Sequence, residues 1–495
     1  MKWLKSILGG TRRKEIERQP TSEKSPSNHS PSAEAWGLDS NLYGFGTVIG
    51  GEKMYAHWTV GMSYEGLQVF GGTGSGKTSG TGKAISLAML RRGYGGLVLC
   101  AKADEAANWR RLTEAAGRAE DLVIFSPETG GAFNFLDYEM ERSAGGSEAV
   151  IAVLMQLSEL GGGGSSGGGG DDVWDKAGRQ LLRNALDLLR LAGEPVRLKT
   201  IYEICTKPEV VPPLIAKAQA RVLNSRSVAL RDDLQSVSSF LEGEWVTRAE
   251  VTRASVLMNL TSIFDPFLRG AMRDCFCGET NIRPDDSENG KIIVIDMSIK
   301  EYNELGRYAA VIWKFLFQRF AERRGAGSHS RPLFIYADES QFFVTSADAD
   351  FQTTARSSRC ATVYLTQNLP NYFNAVGGSQ RSKYAIDSLL GNLQTKIWHQ
   401  NGDKETNEWA ASTIGRDLVK RHGTSSNLSF GQQGGGGAGS SSSEQMDFII
   451  QPREFTALAK GGASSSFVVT AILYQSGRIF GDRPSLTVAF NQKSQ

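Results

Sequence analysis

Short continuous apolar runs alternate with longer mixed stretches along most of the chain. In the first third the runs lie at 67–70, 97–100 and 122–125, and a helix is predicted over 104–116. The alternation resumes at 292–296, with a helix over 305–324 and further runs at 333–337, 362–365, 393–398 and 467–474. Strands that are apolar on both faces and alternate with helices are typical of a parallel sheet covered on both sides. The pattern therefore predicts an α/β fold with a mostly parallel, twisted sheet.

Residues 171–289 interrupt this alternation. Leu182, Leu186 and Leu189 recur at the spacing of one helix face, and no run in this block has the character of a strand. We therefore expect an all-helical domain inserted into the α/β domain. The Gly/Ser run at 161–170 cannot pack and is predicted to be a flexible tether, and a second such run at 434–443 is predicted to be a surface loop.

The domain boundaries follow from these changes of pattern. Residues 11–36 are polar and rich in Ser, Pro and charged residues, which indicates a disordered arm, taken as 1–44. The nucleotide-binding domain is predicted in two parts, 45–160 and 290–495. The linker 161–170 and the helical domain 171–289 lie between them.

Composition narrows the class of protein only a little. A chain of 495 residues that is 40% apolar and 22% charged is globular and too long for one ordinary core. A formal net charge of +2 means that a nucleic-acid binder would have to concentrate its basic groups in a patch or channel. Of the five cysteines only Cys275 and Cys277 are close, and they lack the second ligand pair of a structural zinc site. No apolar stretch approaches the length needed to span a bilayer.

A glycine-rich motif follows the first apolar run and opens a helix. It reads GGTGSGKT and matches G-x-x-x-x-G-K-[ST], with these residues: Gly71, Gly72, Thr73, Gly74, Ser75, Gly76, Lys77 and Thr78. Such a loop wraps main-chain N–H groups around phosphates, which requires glycines. Lys77 is predicted to contact the β- and γ-phosphates and Thr78 to bind Mg²⁺. The motif predicts an ATP site of the P-loop type.

An acidic pair directly follows the run at 333–337. Asp338 is predicted to hold Mg²⁺, and Glu339 to orient and deprotonate the attacking water. Acidic pairs at strand ends also serve as helix caps, and Asp296 is a rival carboxylate at another strand end. The P-loop favours the pair at 338–339.

Three further polar residues are candidates near the nucleotide. Gln367 follows the run at 362–365 and is predicted to bind the γ-phosphate or the attacking water, the alternative being a turn residue. Arg356 and Arg359 lie at a predicted helix end. Either is a candidate arginine finger for a neighbouring subunit, and a solvated helix face is the alternative.

Taken together, these motifs resemble the coupling ATPases of type IV secretion systems, the motors of bacterial conjugation. The resemblance covers roughly residues 45–480. Its features include the phosphate loop, VLCAKADE at 98–105, IFSP at 124–127 followed by FNFL at 133–136, Asp338-Glu339, Gln367 and NLQTKI at 392–397. It implies a RecA-like P-loop core with an inserted all-α domain, assembled as a hexameric ring around DNA. That family usually carries two N-terminal membrane helices, and this chain has none.

The sequence therefore predicts an ATP-hydrolysing DNA translocase of conjugative transfer that acts on single- or double-stranded DNA. The resemblance implies a relaxase or relaxosome and the secretion channel as partners, and a cytoplasmic protein peripheral to the bacterial inner membrane. Two alternatives remain. One is a soluble DNA-pumping or DNA-processing ATPase of mobilisation or defence, and the other is a protein-secretion ATPase that moves no DNA.

Overall fold

Most of the chain folds around one large sheet. The computed structural model describes residues 16–17, 36–49, 52–142, 144, 146–160, 171–225, 227–377, 379–427 and 437–493. Its strands, in chain order, are β1 (Ile16–Glu17), β2 (Asn41–Ile49), β3 (Glu52–Thr59), β4 (Leu67–Phe70), β5 (Gly95–Leu99), β6 (Leu122–Phe125), β7 (Ile292–Ile295), β8 (Leu333–Asp338), β9 (Cys360–Thr366), β10 (Thr395–Trp398), β11 (Arg416–Asn427), β12 (Gly437–Phe448), β13 (Val468–Gln475) and β14 (Ser485–Asn491). Twelve of them form a sheet in the order β1-β3-β2-β14-β13-β10-β4-β9-β8-β5-β7-β6, and β11 and β12 form a separate ribbon.

The half of the sheet from β10 to β6 is parallel throughout, and the half from β13 to β1 is antiparallel. Alternate residues of the parallel strands face opposite sides. In β7, for example, Ile292 and Val294 pack in one hydrophobic cluster and Ile293 and Ile295 in the other. Both faces are therefore covered, as the continuous apolar runs predict, and the α/β fold class is confirmed.

Helices cover the two faces of the sheet. The helices outside the 171–289 block are Val60–Ser63, Lys83–Arg91, Glu105–Ala115, Phe135–Arg142, Ser147–Leu160, Ile299–Tyr302, Glu304–Arg323, Ala347–Thr354, Leu369–Ala375, Gln380–Asn392, Lys404–Ile414 and Pro452–Thr456. A π-helical turn, Thr78–Gly82, precedes the second of these and continues directly into it.

Between 171 and 289 the described residues form helices and no strand. The α-helices are Asp171–Ala192, Leu198–Thr206, Val211–Ser225, Val228–Ser238, Trp245–Thr247, Glu250–Phe264 and Gly270–Phe276. This block packs on the α/β core through aromatic rings. The Phe276 ring centroid lies 5.5 Å from that of Phe125 and 5.8 Å from that of Phe135. The helical block is thus continuous with the core below it.

Several elements differ from the sequence prediction. Strands β1, β2, β3, β11 and β14 are not among the predicted strands. Strand β1 lies within the arm expected to be disordered and pairs with β3, and β2 spans the expected boundary between residues 44 and 45. Residues 437–443, predicted as loop, belong to β12 and pair with β11, while 428–436 lie outside the described residues. The tether at 161–170 and most of the arm at 1–44 also lie outside them. Within the described residues, no helix is long and apolar enough to cross a membrane.

Candidate functional site

The glycine-rich motif forms a tight loop between β4 and the π-helical turn at 78–82. Gly74 and Gly76 have φ angles of +71° and +83°, in the left-handed region that side chains disfavour. A Cβ on Gly76 would lie 2.6 Å from Cγ2 of Val469. Two main-chain bonds fix the start of the loop, from Gly71 N–H to the Thr366 carbonyl at 3.1 Å and from Gly72 N–H to the Gln400 carbonyl at 2.9 Å. The loop is therefore held between the ends of β9 and β10.

Lys77 and Thr78 meet the acidic pair at the end of β8. The Thr78 hydroxyl donates to Oδ2 of Asp338 at 2.7 Å. The Lys77 ammonium donates to Oε1 of Glu339 at 3.2 Å and lies 3.9 Å from Oδ1 of Asp338. The structure thus brings together two pairs of adjacent residues that lie more than 250 positions apart in the sequence.

Glu339 is held by an unusual main chain and by several donors. Its φ of 56° is left-handed, and its side chain accepts bonds from Gln341 at 3.0 Å and from Gln367 at 3.2 and 3.3 Å. Burial alone would raise the pKa of Glu339, but the charges of Lys77 and Lys102 and the amide bonds together lower it to about 2. Glu339 is therefore ionised at neutral pH, as a group that orients water must be.

Gln367 lies between the phosphate loop and Glu339. Besides the two bonds to Glu339, its Oε1 accepts from the Thr73 hydroxyl at 3.3 Å, and its carbonyl accepts from Asn401 at 2.8 Å. The side chain therefore bridges the phosphate loop and the carboxylate pair, and a shift of either one would alter the hydrogen bonds of Gln367.

Three residues of this site have no role in the sequence prediction. Lys102, after β5, contacts both carboxylates at 3.4 and 3.3 Å. Glu105 accepts from the main-chain N–H of Ala101, and burial, with the charge of Asp338, raises the pKa of Glu105 to about 8. His399, after β10, is fully buried and shares a 2.7 Å hydrogen bond with the Thr81 hydroxyl. Burial, together with the charge of Lys77, lowers the pKa of His399 to about 3, so the ring is neutral at neutral pH.

The remaining candidates lie elsewhere. Arg356 and Arg359 precede β9, at the opposite end of that strand from Gln367, which for seven residues is roughly 20 Å. Arg359 is buried, donates to the Trp36 carbonyl at 2.6 Å and stacks over the Tyr64 ring. Arg356 is exposed and pairs with Glu65 at 3.3 Å. Its role as an arginine finger stays a prediction, whereas the contacts of Arg359 are those of a structural residue.

Asp296, the rival carboxylate, follows β7. Strand β5 separates β7 from β8, so Asp296 lies two strands away from Asp338. Its main-chain N–H bonds to the Phe125 carbonyl at 2.9 Å. The structure therefore favours Asp338 for the metal.

A cleft of about 470 Å³ opens over the phosphate loop. Its lining is rich in donors and cations and includes Lys77, Lys83, Lys102 and Arg111, with Asp338 at its floor. The buried Ser75 hydroxyl has no protein hydrogen-bond partner. Phosphate oxygens accept hydrogen bonds, and hydroxyl and carboxylate oxygens are ligands of Mg²⁺. The residues present therefore fit a magnesium-bound nucleoside triphosphate.

Comparison with known proteins bears on the fold. Residues 332–460 match the family model described as the TraM recognition site of TraD and TraG. The search of curated proteins found no match.

Among solved structures, the plasmid coupling protein TrwB in complex with a non-hydrolysable ATP analogue superposes with a TM-score of 0.59, over 92% of this chain and 95% of that one, at 17% identity. TrwB in complex with ADP and Mg²⁺ gives 0.55, over 90% and 89%, at 16% identity. VirB4 of Thermoanaerobacter pseudethanolicus gives 0.50, over 76% and 88%, at 15% identity.

At these identities the structural likeness establishes the fold, which is the RecA-like P-loop fold with an all-α domain. The segment from β8 to the Pro452–Thr456 helix, which contains Asp338, Glu339 and Gln367, is the part that the family model covers. The resemblance of this chain to the coupling proteins of type IV secretion systems is thereby confirmed, by a family model over 332–460 and by the fold of the conjugative coupling protein TrwB.

Proposed function

We propose that this protein is a magnesium-dependent ATPase that drives DNA through a type IV secretion system in conjugative transfer, working as a hexameric ring. The observation that carries the proposal is the contact of Lys77 and Thr78 with the acidic pair Asp338 and Glu339 in the cleft. The fold shared with TrwB, which has been solved with ADP and Mg²⁺ and with an ATP analogue, supports the nucleotide.

Each residue has a distinct task in hydrolysis. The loop N–H groups and the Lys77 ammonium would bind the triphosphate, while Thr78 and Asp338 would hold Mg²⁺. Bound Mg²⁺ supplies positive charge that stabilises the transferring phosphoryl group. Glu339 orients the water, whose oxygen bonds to the terminal phosphorus as the bridging P–O bond breaks. The water proton passes to the Glu339 carboxylate and the electron pair of the broken bond stays on ADP. Gln367 keeps the Glu339 carboxylate in place through a hydrogen bond, which would change when Glu339 takes up the proton.

The DNA cargo rests on the family likeness. The family description names the recognition of TraM, and we propose that the segment 332–460 contacts an accessory protein of the relaxosome in the same way. DNA within the ring would be bound through its phosphates, which makes binding strongly dependent on salt.

Hydrolysis by the full chain, measured with and without single- and double-stranded DNA, tests the proposal. We expect DNA to stimulate turnover and the stimulation to fall steeply between low and physiological salt. Turnover that ignores both kinds of DNA would favour a protein-secretion ATPase. DNA stimulation without binding to secretion components would favour a soluble DNA pump.

Two variants test the site itself. Lys77→Ala removes the ammonium that binds phosphate and should abolish hydrolysis. Glu339→Gln keeps the shape of the side chain but cannot accept a proton, so nucleotide should bind and remain intact, with turnover reduced by about 10²–10⁴-fold. Lys207→Ala is the control, since Lys207 is exposed in the helical block and, within the part of the chain that the structure describes, its ion pair is with Glu203 alone. If Glu339→Gln hydrolyses ATP at the normal rate, a residue other than Glu339 must be the general base.

A further inference from the structure

Lys102 contacts the same two carboxylates as Lys77. It follows β5, the strand that neighbours β8, and its ammonium lies 3.4 Å from Oδ2 of Asp338 and 3.3 Å from Oε1 of Glu339. Lys77 contacts Oδ1 of Asp338 and the same Oε1 of Glu339. Among the described residues, these two lysines are the cations that pair with the acidic pair.

The charges of this cluster balance without nucleotide. Two ammonium groups face two carboxylates, so neither Asp338 nor Glu339 is left as a buried, unpaired charge. Oδ2 of Asp338, the oxygen beside Lys102, also accepts the bond from the Thr78 hydroxyl. It is therefore the oxygen nearest to the expected metal position. A divalent cation there would repel the Lys102 ammonium, and the two cannot share this oxygen at full strength.

The side chain of Lys102 has room to move. It is 41% exposed, whereas that of Lys77 is 8% exposed, and it lines the cleft over the phosphate loop together with Lys83 and Arg111. A long lysine side chain can turn about its stem while its main chain stays in place. The anion that we expect in this cleft is the triphosphate of ATP.

We propose that Lys102 is a second cation of the triphosphate site: it neutralises Asp338 and Glu339 while the site is empty and contacts the terminal phosphate once Mg-ATP is bound. This assignment rests on the proposed ATPase function. It gives the chain a cationic group in its own cleft for the charge that develops during phosphoryl transfer, in addition to any arginine from a neighbouring subunit. Because Lys102 leaves the acidic pair as Mg²⁺ arrives, Glu339 becomes free to orient water only when the substrate is complete.

The test compares the full-length chain with Lys102→Met and Lys102→Arg. Lys102→Met should lower kcat by about 100-fold or more while the affinity for ADP stays within about threefold. It should also lose the retention of ADP with aluminium fluoride, which imitates the transferring phosphoryl group. Lys102→Arg keeps the charge and should recover most of both signals. Lys207→Met is the matched control, because Lys207 is 48% exposed and also ion-paired.

A second measurement does not depend on turnover. Lys102 competes with the metal for Asp338, so Lys102→Met should lower the Mg²⁺ concentration needed for half-maximal binding of a fluorescent ATP analogue, by about threefold or more. A side chain that only supports the fold would not tighten metal binding when removed.

The outcomes separate the two proposals. If wild-type hydrolysis depends on Lys77 but Lys102→Met turns over within about threefold of wild type, with an unchanged Mg²⁺ requirement, the role of Lys102 is overturned and the ATPase stands. If the wild-type chain fails to hydrolyse ATP, or Lys77→Ala hydrolyses it normally, the ATPase proposal fails and the role of Lys102 fails with it.

Discussion

A buried ion pair behind the acidic strand end leads to the sharpest prediction on stability. Lys314, on the Glu304–Arg323 helix, pairs with Asp348, and both side chains are almost wholly buried. Lys314 also donates to the Phe343 carbonyl at 2.6 Å. Asp348 in turn accepts from Gln318 at 2.8 Å and from Tyr364 at 3.0 Å. The pair thus fixes the segment that runs from Glu339 to the Ala347–Thr354 helix.

Replacing one partner leaves the other charged and buried. Lys314→Met leaves the Asp348 carboxylate with neutral donors alone, and Asp348→Asn leaves the ammonium with the Phe343 carbonyl. Each change should lower the free energy of unfolding by about 3–5 kcal/mol. In the double variant neither charge remains, so its loss should fall short of the sum of the two single losses by about 2–3 kcal/mol. Burial lowers the pKa of Lys314 and the charge of Asp348 opposes this, so Asp348 stabilises the buried Lys314 ammonium.

Urea unfolding followed by tryptophan fluorescence measures these changes, since the buried Trp313 is adjacent to Lys314 in the chain. Lys404→Met is the control, because Lys404 is exposed and its pairing with Glu408 is at the surface. It should change stability by less than about 0.5 kcal/mol. Single losses below about 1 kcal/mol, or losses that simply add, would refute the reasoning. The folded single variants should also show reduced kcat, because the segment after Glu339 loses its anchor.

Three further predictions follow from individual contacts. Gly76→Ala should abolish nucleotide binding, because the new Cβ would clash with Val469 and the φ of +83° disfavours a side chain. Adding Val469→Ala removes the clash but not the unfavourable φ, so it should not restore binding. Binding recovered in the double variant would show that the clash alone matters. Gln367→Ala should reduce kcat by roughly 10²-fold with unchanged ADP affinity, and an equal loss of affinity would instead indicate a role in binding. Burial lowers the pKa of Lys396 to about 8, so the buried ammonium costs stability at pH 7. Lys396→Met removes this cost and also the hydrogen bond to the Leu393 carbonyl, so the net result should be a stabilisation of about 1–3 kcal/mol at pH 7. Because the folded pKa lies below the unfolded one, wild-type stability should rise relative to that variant between about pH 8 and 10.5, and urea midpoints whose gap does not narrow over this range would contradict it.

The parallel half of the sheet was predictable because burial on both faces leaves a local trace. Strand β7 is four consecutive apolar residues, and β8 is apolar up to Asp338. The antiparallel edge leaves a weaker trace. Gly44 and Gly46 interrupt the alternation of β2, and the Gly/Ser run of β12 has no strand propensity of its own. Strand β14 does alternate, with Leu486, Val488 and Phe490 buried, and this signal could have been found.

The residues of the site also differ in how much of their position can be predicted from neighbouring residues in the sequence. The phosphate loop and the acidic pair depend on residues adjacent in sequence, so motif and strand end sufficed to predict them. Lys102 and His399 depend on which strands are neighbours. Strand β5 lies beside β8, and β10 lies beside β4, although each pair is far apart in the chain. A single sequence does not contain that order, so the contacts that Lys102 and His399 make in the site became visible only in the fold.

Buried hydrogen bonds hold the main chain at the acidic pair in place. Ser340, next to Glu339, donates to the Leu365 carbonyl at 3.0 Å and shares a hydrogen bond with the hydroxyl of Tyr372, whose oxygen lies 2.9 Å from Oε1 of Gln68 in β4. The main chain at the acidic pair is thus tied to β9 and to the strand that leads into the phosphate loop. Breaking these bonds would leave buried polar groups unpaired, at about 1–3 kcal/mol each. We therefore expect the backbone here to stay fixed when nucleotide binds, and any rearrangement to involve the side chains that reach the cleft, Lys102 and Gln367.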